Sequence, residues 1–556
     1  MGSFRRLSLF AATLCSAFLL QACAALPPLP PRTASRAIDP GTPSPLAQRV
    51  AAERAGVSPQ HSGVRLLAGG EEALATLIAL ADQAEHTLDL QYYAVLNEAS
   101  SRALLQRVRA AAERGVRVRL LIDDFNTSGT DDALLRLTRH PKIEVRLYNP
   151  LPAGRFSIVT RVMASLHDIG RINSRMHNKQ LVADNALAVT GGRNLGDAYF
   201  LQAAEANFVD LDVLVAGPVV QQLSATFDRY WNSELAYPAD TIIPASAAAS
   251  EPQASAPSAL PQARAQAPAA GRTAREDPAP AASAPPLPPA ASVPLDAPSG
   301  LAPETVARLR EQVDQQRKAP LKLQWMPARL WADRPSKSLQ QGTPSPDEIM
   351  FDDFTGLMRS ARSEVFLITP YFVPGQGGMA LIRDMRARGV RVRILTASLA
   401  GTDAPAVHIG YSRYREGLLA MGVELFELRA EPGGPQPPRW GGVHSRTNLH
   451  AKAMLVDGRT VVVGSMNFDP RSENLNTEMG LVMRSPALAK QLEGLLADIM
   501  RTGAYRLDLD GEGRGLRWTL TDEQGGRSVS TREPDVSMLK LLGLKLISPL
   551  APEEML

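Results

Sequence analysis

The feature that most limits what this chain can fold into is a nineteen-residue pattern that occurs twice. Residues 449–467 read LHAKAMLVDGRTVVVGSMN, and residues 176–194 read MHNKQLVADNALAVTGGRN. Both spell His-x-Lys-x4-Asp-x6-Gly-[Gly/Ser]-x-Asn. Of eight His, three are followed two residues later by Lys, and only His177 (Lys179) and His450 (Lys452) then meet an Asp after four intervening residues (Asp184, Asp457). Each copy predicts strand, tight turn, strand, because Asp457-Gly458 and Asp184-Asn185 suit the positive φ of a two-residue hairpin turn. Residues two apart on a strand share a face, so each imidazole sits beside an ammonium. That pairing suits a phosphate-like anion, with Lys holding the charge and His doing the chemistry. One copy alone is a hairpin with a stray histidine. Two copies with the same internal spacing describe a duplicated functional device.

The duplication extends upstream. Residues 87–93 (TLDLQYY) read as a strand, 100–114 as a helix closed by Gly115, and 116–122 as a strand ending in Asp123-Asp124. Strand, helix, strand is the signature of parallel pairing in an α/β fold. The unit recurs as a strand over 365–372, a helix over 379–388 and a second GVRVR at 389–393, matching 115–119. Gly115 precedes His177 by 62 residues and Gly389 precedes His450 by 61. Two similar halves related by a pseudo-twofold axis follow, with the hairpins meeting at their interface. The alternating Arg of GVRVR are read as the solvent-reaching tips of a half-apolar strand rather than as a phosphate site.

Composition matters at the ends and in the middle. Residues 1–22 form a signal peptide: Arg5-Arg6 precede an apolar run at 7–20, too short for a spanning helix of ~20 residues. Cys15 leaves with the leader, so Cys23 remains alone and no intramolecular disulfide is possible. LLQAC resembles the lipobox of bacterial lipoproteins, implying cleavage before Cys23 and its acylation. Residues 23–62 are a lipidated, Pro/Ala-rich tether, 63–243 the first half, and 304–510 the second. Between them, 244–303 is dominated by Ala, Pro and Ser and cannot bury a core. The extension 511–556 contains MLKLLGLKLISPL, read as a helix packed on the domain, with a membrane interface as the alternative. The net charge of +3, and +1 without the leader's two Arg, argues against a general polyanion binder.

Beyond the paired pattern, RMHNK…GGRNLGDAYF, FVDLDVLVAGPVV, FDRYWNSELA, ITPYFVPG, GYSRYREGLL and LHAK…GSMNFDPRSENLNTEMGL resemble the phospholipase D superfamily, and within it the bacterial cardiolipin synthases of the C-type. The resemblance implies a duplicated fold of mixed β-sheets flanked by helices, with the active site between the halves. It implies transfer of a phosphatidyl group through a phosphohistidine, with no metal or cofactor. Phosphatidylglycerol is the implied acceptor, and phosphatidylglycerol or phosphatidylethanolamine the donor. His177 is assigned as nucleophile and His450 as acid/base, the reverse assignment staying open. Lys179, Lys452, Asn194, Ser465 and Asn467 are assigned to the phosphate, and Glu478 and Asp210 to orienting the imidazoles. Asp184 and Asp457 complete the catalytic set as supporting residues. Gly192 stands where the second copy has Ser465, so the first half lacks that hydroxyl. His444 is read as a loop residue entering the second hairpin. Arg155, Arg161, Arg171 and Arg175, interleaved with apolar residues, are read as a rest for anionic headgroups. A periplasm-facing lipoprotein of the inner or outer membrane is expected, with no nucleic-acid partner. Phospholipase D hydrolysis is the near alternative, a nuclease the remoter one, and the oligomeric state is open.

Overall fold

The computed structural model describes residues 26–244, 300–339, 350–430 and 446–547, apart from 128, 153, 156–157, 166–167, 204–205, 512 and 514. The leader with Cys15, Cys23, His444 and residues 245–299 lie outside the described residues. The first half contributes β1 (His61–Leu67), β2 (Thr87–Ala94), β3 (Arg117–Asn126), β4 (Ile143–Tyr148), β5 (Gln180–Ala183), β6 (Leu187–Gly191), β7 (Ala206–Val209), β8 (Asp212–Ala216) and β9 (Ala236–Pro238). The second contributes β10 (Gln324–Ala332), β11 (Glu364–Ile368), β12 (Arg391–Ala397), β13 (Glu424–Leu428), β14 (Arg446–Leu449), β15 (Ala453–Val456), β16 (Thr460–Gly464), β17 (Met479–Arg484), β18 (Ala504–Leu509), β19 (Leu516–Thr521) and β20 (Arg527–Ser530).

Helices Ala99–Glu113 and Asp131–Thr138 connect β2, β3 and β4, which therefore run parallel. Helix Gly375–Ala387 and the pair Pro405–Ser412 and Arg415–Ala420 do the same for β11, β12 and β13. Each hairpin, β5–β6 and β15–β16, joins its sheet antiparallel to β2 or β11. Helices cover the sheet faces, so the parallel strands are apolar almost throughout, as Val118, Leu120, Leu121 and Ile122 illustrate.

The halves are joined symmetrically through one strand of each. The start of β1 pairs antiparallel with the start of β10, from His61↔Pro327 to Val64↔Gln324. The rest of β1 pairs with β8, and the rest of β10 with β17. One 18-stranded sheet thus runs through both halves. A separate two-stranded parallel sheet joins β7 to β14, ending at Leu449↔Val209. A single buried apolar cluster takes Val182, Ala188 and Val215 from one half and Phe366, Val461 and Leu481 from the other.

Several expectations need correcting. The GVRVR arginines are not all solvent-reaching tips. Arg119 is buried, with both Nε and Nη2 2.7 Å from Asp89 oxygens, and Nη2 is also 2.8 Å from Asp228. Arg393 meets Glu364 and Glu493 at 3.1 and 2.7 Å. In both halves a helix laid over the strand (Pro218–Trp231, Pro486–Thr502) brings the second carboxylate. Part of the expected tether also lies along the domain. The Arg32 guanidinium donates to carbonyls of Ala236 and Ser233, Ala37 donates to Asp228 at 2.9 Å, and Pro45–Glu53 is a helix begun by Ser44. The apolar C-terminal stretch forms helix Met538–Ile547, which packs against Pro405–Ser412.

Candidate active site

Each hairpin turns on two left-handed residues, Asp184 (φ 51°) and Asn185 (φ 48°) or Asp457 (φ 52°) and Gly458 (φ 60°). The carboxylates of Asp184 and Asp457 bond backbone N–H groups and not the imidazoles, so within the catalytic set they are supporting residues only. Asp184 accepts the backbone N–H groups of Glu85, His86 and Thr87, the last two at 2.8 and 2.9 Å. Asp457 accepts those of Arg362, Ser363 and Glu364, and the Ser363 hydroxyl. Each thus pins its hairpin to the chain entering β2 or β11, and at Asp184 one of the donors, the Thr87 N–H, is buried.

His177 and His450 lie just before their strands, and each is stitched to the opposite half. The His177 N–H donates to the Thr477 carbonyl at 2.9 Å, and the His450 N–H to the Val209 carbonyl at 2.8 Å. Thr477 and Val209 immediately precede Glu478 and Asp210. These carboxylates therefore meet the histidine of the other half. His177 Nδ1 lies 2.9 and 3.1 Å from the Glu478 oxygens, and His450 Nδ1 lies 2.6 Å from Asp210 Oδ2. A carboxylate on Nδ1 keeps the proton there and leaves Nε2 as the working nitrogen of a neutral ring. Asp123, at the end of β3, holds the approach to His177 by accepting from Met176 N–H at 2.8 Å and from Arg175 at 3.2 Å.

Both lysines are buried, and each Nζ donates to the carbonyl of its own motif histidine at 2.6 Å. Each also lies over a tyrosine ring, Lys179 at 5.4 Å from Tyr93 and Lys452 at 5.9 Å from Tyr371. Burial drives all four basic groups toward neutrality. His177 falls from 6.5 to about 4, burial outweighing the Glu478 charge and Lys179 adding to the fall. Lys179 falls to about 7 for the same reason, with Lys452 contributing repulsion. Burial also lowers His450 and Lys452. Asp210 is held down at about 2, the neighbouring His450 and Lys452 overcoming its burial. A buried cluster of cations short of its full charge is poised for an incoming anion, which restores that charge.

Among the remaining expected residues, Asn194 accepts from Ala94 N–H at 3.2 Å and donates to the Tyr199 hydroxyl at 3.0 Å, while Asn467 accepts from Thr369 at 3.3 Å. Ser465, assigned to the phosphate by resemblance, donates its hydroxyl to Glu478 at 2.5 Å and so braces the carboxylate that holds His177. The lone Gly192 has a steric reason: a Cβ there would lie 2.1 Å from Asp210 Oδ1. The arginines read as a headgroup rest are consumed internally. Arg155 pairs with Asp131 and Asp124, Arg161 and Arg175 are buried against Asp124 and Asp123, and Arg171 pairs with Asp168.

The sequence reading missed the aromatic walls. Tyr93 meets the His177 ring edge-on at 5.0 Å, and Tyr199 and Phe208 lie 5.1 and 5.0 Å from His450. Tyr371 donates to Asp403 at 2.8 Å. A usable signal existed, since Tyr93 lies in the last two residues of β2 and Tyr371 just beyond β11, at the carboxyl ends of equivalent parallel strands, where α/β folds place their sites.

The profile of the family described as "Cardiolipin synthase, PLD-like domain" matches residues 77–231 and 354–500. Cardiolipin synthase C of Escherichia coli (strain K12) is 36% identical over 502 residues, spanning 90% of this chain and 97% of that protein. The chain belongs to the cardiolipin synthase family of phospholipase D-like enzymes. The segments matched to this cardiolipin synthase family contain both His/Lys pairs together with Asp210 and Glu478. A cardiolipin synthase from Geobacillus sp. (strain WCH70) is 23% identical, covering 79% of this chain and 67% of its own. The fold is shared with phosphatidylserine synthase of Haemophilus influenzae Rd KW20, at a TM-score of 0.51 and 13% identity over 92% of this chain and 100% of that one.

Proposed function

We propose that this enzyme transfers a phosphatidyl group from one phospholipid to a glycerol hydroxyl of phosphatidylglycerol, producing cardiolipin. The observation that carries the reading is the crossed pairing of His177 with Glu478 and His450 with Asp210. It fixes one working nitrogen from each half, as in-line displacement at phosphorus requires. His177 Nε2 attacks phosphorus and forms a P–N bond. The P–O bond to the donor headgroup breaks, and His450 Nε2–H protonates the departing alkoxide. The acceptor hydroxyl then gives its proton to His450 and attacks phosphorus as the P–N bond breaks. Lys179, Lys452, Asn194 and Asn467 neutralise and position the nonbridging oxygens.

Electrostatics support His177 as nucleophile. Burial lowers both rings, and His177, at about 4, keeps the neutral form that a nucleophile needs. Glu478 is shared with the hydroxyls of Ser465 and Ser472 at 2.5 and 3.0 Å, which dilutes its pull on the His177 proton. Asp210 puts one oxygen 2.6 Å from His450, the stronger support for an imidazolium. Burial of both rings limits water at the phosphohistidine and favours an alcohol as its acceptor. Phosphatidylglycerol or phosphatidylethanolamine serves as donor, and acylated Cys23 tethers the enzyme to an envelope membrane on its periplasmic side.

Expression in a host lacking cardiolipin, followed by lipid mass spectrometry, tests the reaction. Cardiolipin is expected, with release of glycerol or ethanolamine naming the donor. Phosphatidic acid as the sole product would instead mean hydrolysis. Loss of incorporated palmitate in Cys23→Ala checks the anchor.

A further inference from the structure

A second cavity lies on the far side of the loop that carries Asp403. It has a volume of about 470 Å³ and is walled by Leu399, Ile409, Trp518, Leu541 and Leu544. Helix Met538–Ile547 covers one side, with Leu541 and Leu544 on the cavity and Leu539 outward, 82% exposed. The size and apolar walls are those of a small-molecule site, which runs from roughly 300 to 1,000 Å³.

Its polar groups are gathered, and all but one of its cations are already matched. Arg415 lies 2.9 Å from Glu427 and also pairs with Glu533 and His408. The Trp518 indole donates to Glu427 at 2.9 Å. Arg532, which is exposed and stands at the mouth, has no ionic partner among the described residues. An apolar interior with an unpaired guanidinium at its rim fits a chain-like apolar tail with an anionic head.

We infer that this cavity binds one acyl chain of an anionic amphiphile, its carboxylate or phosphate resting on Arg532. The cavity is separate from the reacting groups, yet one loop joins the two. Leu399 lines the cavity, and four residues on Asp403 accepts the hydroxyl of Tyr371, the ring over Lys452. The inference stands on the cavity itself and does not depend on the reaction proposed above.

Trp518 supplies the reporter, because bromine on an acyl chain quenches an indole that it touches. The full-length protein, stripped of lipid, is titrated with dibromostearate and separately with phosphatidylglycerol bearing brominated chains. Saturable quenching by at least one probe is expected. Filling the cavity with Ile409→Phe plus Leu544→Phe should abolish it, and Arg532→Glu should raise the half-saturation concentration about tenfold. Quenching by both probes means that the site reads the chain and any anionic head. Quenching by phosphatidylglycerol alone selects a phosphate head, and by stearate alone a free fatty acid. No saturable quenching, or quenching unchanged in both variant proteins, would overturn the inference. Arg532 is exposed and unpaired, so its reversal stays informative even if the filled variant unfolds. Quenching needs no turnover, so His450→Ala should quench like the unmodified protein, and failure here is distinct from failure to make cardiolipin.

Discussion

At the scale of single residues, the site depends on which nitrogen of each imidazole works, and two carboxylates from the opposite halves decide it. Asp210→Asn and Glu478→Gln should each lower kcat roughly 10²–10⁴-fold while leaving circular dichroism unchanged, because the ring then loses its tautomer and its counter-charge. The pH profile follows from opposite demands on the two rings. His177 must be neutral, and it loses activity only as pH falls toward about 4. His450 must carry a proton, and burial lowers its affinity for one below the ordinary 6.5. The kcat/KM of the free enzyme should therefore peak between these limits and already be falling when the pH reaches 6.5. Bound phosphodiester, being anionic, raises the His450 proton affinity, so the alkaline limb of kcat should lie at higher pH than that of kcat/KM. The motif aspartates behave differently. Asp184→Ala strands the buried Thr87 N–H and removes the half-buried bonds to Glu85 and His86, and should cost about 1–3 kcal/mol, read as a lower Tm. Asp457→Ala should cost less, because several of its bonds lie at the surface where water replaces them. Both should keep the kcat of the folded fraction within an order of magnitude.

At the scale of elements, the two hairpins were legible in the sequence because their chemistry is local. The turn dipeptide, the His-x-Lys spacing and the closing Gly-x-x-Asn all lie within nineteen residues. Orientation by carboxylate was only half legible. Glu478 and Asp210 were recognisable by resemblance, but their crossing joins residues 301 and 240 positions apart, a relation that only the packed halves define. The Arg119 and Arg393 ion pairs were misread for the same reason: a strand pattern cannot show which helix will lie over it. Tyr93 and Tyr371 lay inside stretches read only as strands, and a strand pattern does not show which ring will face an imidazole or ammonium from elsewhere in the fold. The asymmetry at Gly192 now has a consequence. Gly192→Ser, which would make the two hairpins more alike, drives a Cβ to 2.1 Å from Asp210 Oδ1. It should therefore depress kcat about as much as Asp210→Asn, whereas Ser465→Gly, which leaves Glu478 bonded to Ser472 and His177, should be milder.

At the scale of the whole molecule, the halves are one catalytic unit. The pairing of β1 with β10, the parallel pair β7–β14 and the crossed carboxylates make each half incomplete alone. Two fragments produced by breaking the chain between residues 245 and 299 should reassemble when co-expressed and regain transfer activity, whereas either fragment alone should show none. The duplication itself was visible in the repeated spacing from GVRVR to His-x-Lys. The β1–β10 pairing was not, because both strands are short stretches outside the repeated motif. The most direct test of two halves acting on one phosphorus is to trap the intermediate. His450→Ala protein is incubated with phospholipid labelled in its phosphate, quenched and digested, and the labelled peptide is sequenced. Label on His177, absent from the His177→Ala, His450→Ala double variant, is the expected result. Label on any other residue, or an unlabelled protein that still forms cardiolipin at the unmodified rate, would contradict it.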